Sequence, residues 1–143
     1  MDVNTRVDQF VCVLNKKVEV PRALNAVAHM AAGLAFQHQA NFAPLRFRDF
    51  VDQSNSIHPA TSENGFIILS AKNSNQIRTL RNQLIEKKIL FTDFTETMVA
   101  GTHVEQEKVF AVTPEIDLEY YGICFFYKID EAKELTKKFQ LYR

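Results

Sequence analysis

The sequence predicts an α/β domain with three layers, α/β/α, built on a four-stranded mixed sheet. Three observations predict it. Short continuous apolar runs at residues 10–14 and 66–70 suit strands covered on both faces. Each run is followed within a few residues by a segment of helical periodicity. Strands and helices then alternate along the chain, the order that places helices on both faces of one sheet.

The first strand is Phe10-Val11-Cys12-Val13-Leu14, followed by a short polar link. Pro21 suits the first turn of a helix, where its missing N–H costs nothing. That helix runs to about Gln37. At 100° per residue, Leu24, Val27, Ala28, Ala31, Leu34 and Ala35 form the face expected to pack on the sheet. The opposite face carries Arg22, Asn25, Ala26, His29, Gly33 and Phe36, and its small residues keep it low enough for a partner to approach. Residues 38–64 are an excursion. Residues 45–51 read as a strand that runs into the polar turn Asp52-Gln53-Ser54-Asn55-Ser56, giving either a hairpin or an ordered loop. So long an excursion in a small domain is often functional.

Residues 66–70 form the second firm strand. A helix over residues 74–87 follows, with Ile77, Leu80, Leu84 and Ile85 as its apolar stripe and Arg78, Arg81, Lys87 and Lys88 as a solvated basic face. Residues 89–94 are the next strand. Thr102-His103-Val104-Glu105 has the form of a capping box and opens a short helix to about Val112. Residues 120–127 are the last strand, and residues 130–138 the closing helix.

Composition bounds the function. The 143 residues suit one domain, with residues 1–8 expected to be flexible; 46% are apolar and 24% charged. Lys+Arg and Asp+Glu both number 17, so binding of nucleic acid by bulk charge is not expected. No apolar run approaches the roughly 20 residues that span a bilayer. The first residues lack a signal-peptide core. The expectation is a cytoplasmic protein with no membrane partner. Cys12 and Cys124 each lie in an apolar strand and read as buried free thiols. Neither a metal-type spacing nor a cofactor motif is present, so no metal and no cofactor are expected.

A resemblance adds to this reading. The strand, short link and helix containing Ala28-His29-Met30-Ala31 are similar to the opening of the class-two peptidyl-tRNA hydrolases. So are the strand Gly122-Ile123-Cys124-Phe125-Phe126-Tyr127 and the ending Phe139-Gln140-Leu141-Tyr142. Two longer segments resemble an uncharacterised family related to that fold, the domain of unknown function (DUF) 2000. One runs from Arg22 through Asn25 and His29 to Leu34. The other runs from Asp52 through Ile57-His58-Pro59-Ala60-Thr61-Ser62 to Leu69. The resemblance implies the hydrolase-type fold from Phe10 onward. The hydrolases carry a Gly-Lys pair where this chain has Pro21 and Arg22, and a Gln where it has Ala26. Their acidic strand residue matches Asp93 or Glu96. Arg stays protonated and cannot shuttle a proton as a desolvated Lys can, so true peptidyl-tRNA hydrolysis, and with it tRNA as partner, is not favoured.

The candidate site follows from these positions. Arg22, in the first turn of a helix, would hold a small phosphate- or carboxylate-bearing ligand. Asn25 would orient it, and His29 or Asp93 would handle protons as catalytic residues. Asp93, Thr95 and Thr97 alternate, so an extended chain points them to one side, with the carboxylate within reach of Arg22. The resemblance singles out Asp52, His58 and Ser62 as further binding residues. No nucleophile-elbow sequence supports a Ser-His-Asp triad among them. Two functions follow: a hydrolase-like or transferase-like enzyme for a small anionic substrate, or a non-catalytic binding module. The module would associate as a homodimer through the low face around Ala26 and Gly33.

Overall fold

The computed structural model describes residues 6–99 and 101–143. Of the segment expected to be flexible, residues 1–5 lie outside the described residues. Val7 accepts a hydrogen bond from the Ile129 backbone N–H (2.9 Å), and Asp8 already opens the first strand.

That strand, β1 (Asp8–Asn15), is the centre of the sheet. It pairs in parallel with β4 (Gly65–Ala71) and antiparallel with β6 (Tyr120–Lys128). Outside β6 lies β5 (Phe91–Thr95), and outside β4 lies β7 (Gln140–Leu141). The mixed sheet therefore has five strands, where the sequence predicts four. The additional strand is two residues long, too short to show any period, and exists only through its pairing with Leu69 and Ser70.

Helix α1 (Val20–Gln37) covers one face, and α2 (Ser74–Glu86) and α4 (Ile129–Thr136) cover the other. Alternate residues of the central strands feed the two cores. Phe10, Cys12 and Leu14 pack with Ala23, Met30 and Leu34 on the α1 side. Val11 and Val13 pack with Ile77, Leu80 and Ala132 on the other. Cys12 and Cys124 sit directly opposite each other in the β1–β6 register as buried free thiols. The contact with Cys124 and then burial push the Cys12 thiol far above its ordinary pKa.

The buried face of α1 is Ala23, Ala26, Met30 and Leu34. Leu24, expected inside, is 61% exposed, while Ala26 is completely buried. The low surface expected around Ala26 and Gly33 therefore faces inward. A Cβ on Gly33 would sit 3.3 Å from Thr92 Cγ2, so this glycine lets α1 approach β5 closely. The sequence misleads here because α1 is apolar almost all round, and periodicity alone cannot choose which stripe meets the sheet.

Helix α2 begins at an Asn73 cap whose side chain accepts the Gln76 N–H. Its basic face is not simply solvated. Arg78 is buried, and Arg81 reaches Asp93 at 2.9 Å. Ile85, expected in the stripe, is exposed. The Thr102–Glu105 capping box forms with both of its arms and starts α3 (His103–Ala111), beyond the β5 side of the sheet.

The excursion is a hairpin of β2 (Phe47–Val51) and β3 (Ile57–Ser62), a two-stranded sheet separate from the main one. Asp52 Oδ1 shapes its turn by accepting the N–H groups of Ser54 and Ser56, at 2.8 and 3.0 Å. Its base is tied down by Asn64 Nδ2 donating to the Pro44 carbonyl and the Glu63 N–H to that of Arg46. Glu63 also pairs with Arg46 and Arg48. No helix among the described residues is long and apolar enough to cross a membrane.

Candidate functional site

Arg22, Asn25 and His29 are spaced three and four residues apart on α1, which puts them on one face. All three are exposed. Two turns separate Arg22 from His29, about 10 Å along the axis. At the His29 end the stripe meets a cavity of about 510 Å³. The cavity lies between α1, β5 and α3. His29 and Met30 line one wall, Thr92, Asp93 and Phe94 the floor, and Met98, His103, Gln106, Glu107 and Phe110 the other wall.

The lining is largely apolar, through Met30, Phe94, Met98 and Phe110, with polar groups around it. The His29 ring stacks on Phe94 with centroids 5.6 Å apart and planes 27° apart, which fixes its orientation. Across the cavity, His103 Nε2 lies 2.9 Å from Glu107 Oε1, one helical turn on. Two imidazoles thus face one apolar volume. An imidazole is the side chain best able to exchange a proton near neutral pH.

Both residues expected to act catalytically, His29 and Asp93, line this cavity. Their environments differ. The Asp93 carboxylate turns to Arg81 rather than to Arg22, and Arg81 Nε donates to it at 2.9 Å. Burial nevertheless outweighs Arg81 and raises the Asp93 pKa. Arg22 and Asn25 do not line the cavity, and no ion pair within the described residues engages Arg22.

The remaining expected residues stand apart. Thr95 is completely buried, its hydroxyl 2.7 Å from that of Thr97, so it supports the end of β5 without meeting a ligand. Glu96, the other acidic position, accepts the Glu119 N–H at 2.6 Å. Asp52 and His58 pair with each other at 2.9 Å on the hairpin, away from the cavity lining. Hydrogen bonds to His58, first, and to Ser56 and Ser54 hold the Asp52 carboxyl below its ordinary range. Ser62 donates to the Leu45 carbonyl and accepts the Asn64 N–H at 3.0 Å. It does not complete a triad with the Asp52–His58 pair.

Sequence reasoning missed the α3 wall. The signal was available: the capping box locates the helix, and His103 and Glu107 occupy its first position and the next turn. What was not available is that α3 lies beside β5. Among the described residues no group of three or more His, Cys, Asp or Glu is placed to hold a metal ion.

A family model described as "Protein of unknown function (DUF2000)" matches residues 8–143. No curated protein matches the chain by sequence. One solved structure, a protein of unknown function from Agrobacterium tumefaciens str. C58, superposes with a TM-score of 0.81. It is 15% identical, and the superposition covers 97% of this chain and 100% of the other. At that identity the likeness establishes the fold.

Proposed function

The chain belongs to the DUF2000 family of proteins of unknown function, and from that premise we propose that it is a hydrolase-like enzyme for a small elongated substrate, apolar at one end and anionic at the other. The observation that carries the reading is the place of His29, where the apolar cavity meets the exposed stripe leading to Asn25 and Arg22. The apolar end of the substrate enters the cavity against Phe94, Met98 and Phe110. The anionic end lies about 10 Å away, the reach of two helical turns, where the Arg22 guanidinium forms a charge-assisted contact. His29 is then beside the middle of the substrate, where it takes a proton from an attacking water or returns one to a leaving group. Asp93, in the cavity floor, is held by Arg81; the proton is handled by His29.

The test uses octyl phosphate as a probe, with inorganic phosphate and octanol as half-probes, and p-nitrophenyl octanoate as a reporter ester. A probe at 100 times its dissociation constant stabilises the native state by about 2.7 kcal/mol, a melting-temperature rise of roughly 8 °C for a domain of this size. Octyl phosphate is expected to give such a shift and the half-probes much less. Arg22→Ala is expected to lose most of it. His29→Ala is expected to keep the shift and lose ester cleavage. No shift with octyl phosphate, or a shift indifferent to Arg22→Ala, overturns the substrate reading. Binding with no His29-dependent cleavage overturns the enzyme and leaves a ligand-binding module.

A further inference from the structure

An isolated two-stranded hairpin is at best marginally stable in water, yet this protein presents one with apolar side chains on both faces. Cross-strand neighbours share a face. Val51 stands directly opposite Ile57, and Phe47 lies on the same side as Val51 by alternation. Phe50 is on the other side, beneath the Arg48 guanidinium, 5.8 Å from its ring centre. At the base of the hairpin, Phe42 and Phe66 are open as well. These six residues are between 42% and 65% exposed.

Their combined area decides what can cover them. An aromatic residue offers about 150–250 Å² and Val or Ile somewhat less, so at these exposures the six present roughly 600 Å² between them. A stable interface takes about 800 Å² from each partner, a little over half of it apolar. Spread over both faces of the ribbon and its base, this equals the apolar share of one standard interface, so an occupant that covers it wraps the hairpin rather than lying on one face.

The geometry points to a second copy of this chain as the occupant, clasped through the β2–β3 hairpin in a two-fold dimer. A ribbon with apolar groups on both faces needs its cover whenever the protein is folded, and a second copy is present in equal amount by definition. The formal charge is zero, with 17 basic and 17 acidic residues, so two copies approach without net repulsion. The assembly also has a stop. Pro59 cannot donate to a further strand, and the ladder is irregular there, with Ala60 at φ 55° and its N–H turned to Asp49 Oδ1. These features block open-ended strand addition at β3 and favour a closed pair.

The experiment is the mass in solution. The wild type is expected at twice the 16.4 kDa chain mass at tens of micromolar by light scattering and sedimentation. Val51→Glu and Ile57→Glu, both at exposed positions, are expected at the single-chain mass with unchanged circular dichroism. Val112→Glu, at a more exposed apolar residue beyond α3, is expected to stay dimeric. The chain has no tryptophan, so Ile57→Trp gives a second readout that preserves the apolar surface: its emission should move to longer wavelength as dilution separates the copies. A wild type that is monomeric at 100 µM overturns the proposal. So does a dimer that persists in both glutamate variants, or an Ile57→Trp emission that does not change while the mass halves.

Discussion

Arg78→Ala should be among the most damaging substitutions outside the apolar core, although the sequence places Arg78 on a basic helix face. Arg78 is 8% exposed. It donates to the Leu118 carbonyl at 2.6 Å, to the Glu115 and Ile116 carbonyls at 3.2 Å, and to the Glu115 carboxylate at 2.8 Å. It also lies 5.2 Å from the centre of the Tyr120 ring. These partners do not count equally. Glu115 and Ile116 are exposed, so water replaces the lost donor there and the ionic share is small. The Leu118 carbonyl is buried, and orphaning it costs about 1–3 kcal/mol. Loss of the cation above Tyr120 adds about 1 kcal/mol. A total of about 2–4 kcal/mol follows from these two contributions. With a urea slope of about 1–3 kcal/mol/M, the unfolding midpoint should fall by roughly 1–2 M. Glu115→Gln keeps an acceptor for Arg78 and Tyr120 and should cost under about 1 kcal/mol. Equilibrium urea unfolding of both variants checks the reasoning. A cost for Arg78→Ala below 1 kcal/mol, or an equal cost for Glu115→Gln, would refute the assignment of the energy to the buried carbonyl.

Three further outcomes follow from close packing at two glycines and from the hairpin turn. At Gly122 a Cβ would lie 2.7 Å from Met30 Cε, 2.9 Å from Leu14 Cδ2 and 3.1 Å from the Val13 carbonyl oxygen; Gly122→Ala should destabilise by about 1–3 kcal/mol through overpacking, whereas Gly33→Ala, which meets only the end of Thr92 and gains about 1 kcal/mol of helix propensity, should be near neutral or stabilising in the same assay. Because the folded pKa of Asp52 is depressed, its support for the hairpin turn is present above the unfolded carboxylate value of about 3.9 and is lost as the pH falls through the lower folded value. The Ser54 and Ser56 amide resonances should therefore move in acid in the wild type and stay in place in Asp52→Asn.

The periodic elements were legible because their signals are local. The run at residues 10–14, the Thr102 capping box and the stripe Ile77, Leu80, Leu84 carry their own evidence for strand, helix start and buried face. What was not legible depends on distant partners. The inward turn of Arg78 requires carbonyls from residues 115–118, and β7 requires β4 beside it. The choice of Ala23, Ala26, Met30 and Leu34 as the inner face of α1 required knowing where Thr92 would lie. The candidate site divides in the same way. The stripe Arg22, Asn25, His29 is a statement about one helix and was readable; the cavity at its end is a statement about three elements and was not. Asp93 was found for its position, but its partner is Arg81 rather than Arg22.

The central place of β1 carries a consequence for how the protein is made. Its inner edges are completed by β4 and β6, and Asn15 meets the Tyr120 carbonyl across 105 residues of sequence. During synthesis the central strand leaves the ribosome before the other strands and waits for β6 before both its neighbours are in place. Pairings of such long range make folding slow and leave the early strand open to aggregation. A nascent chain stalled before β6 should therefore be a strong client for chaperones that hold extended apolar segments, and release of the finished chain should end that dependence.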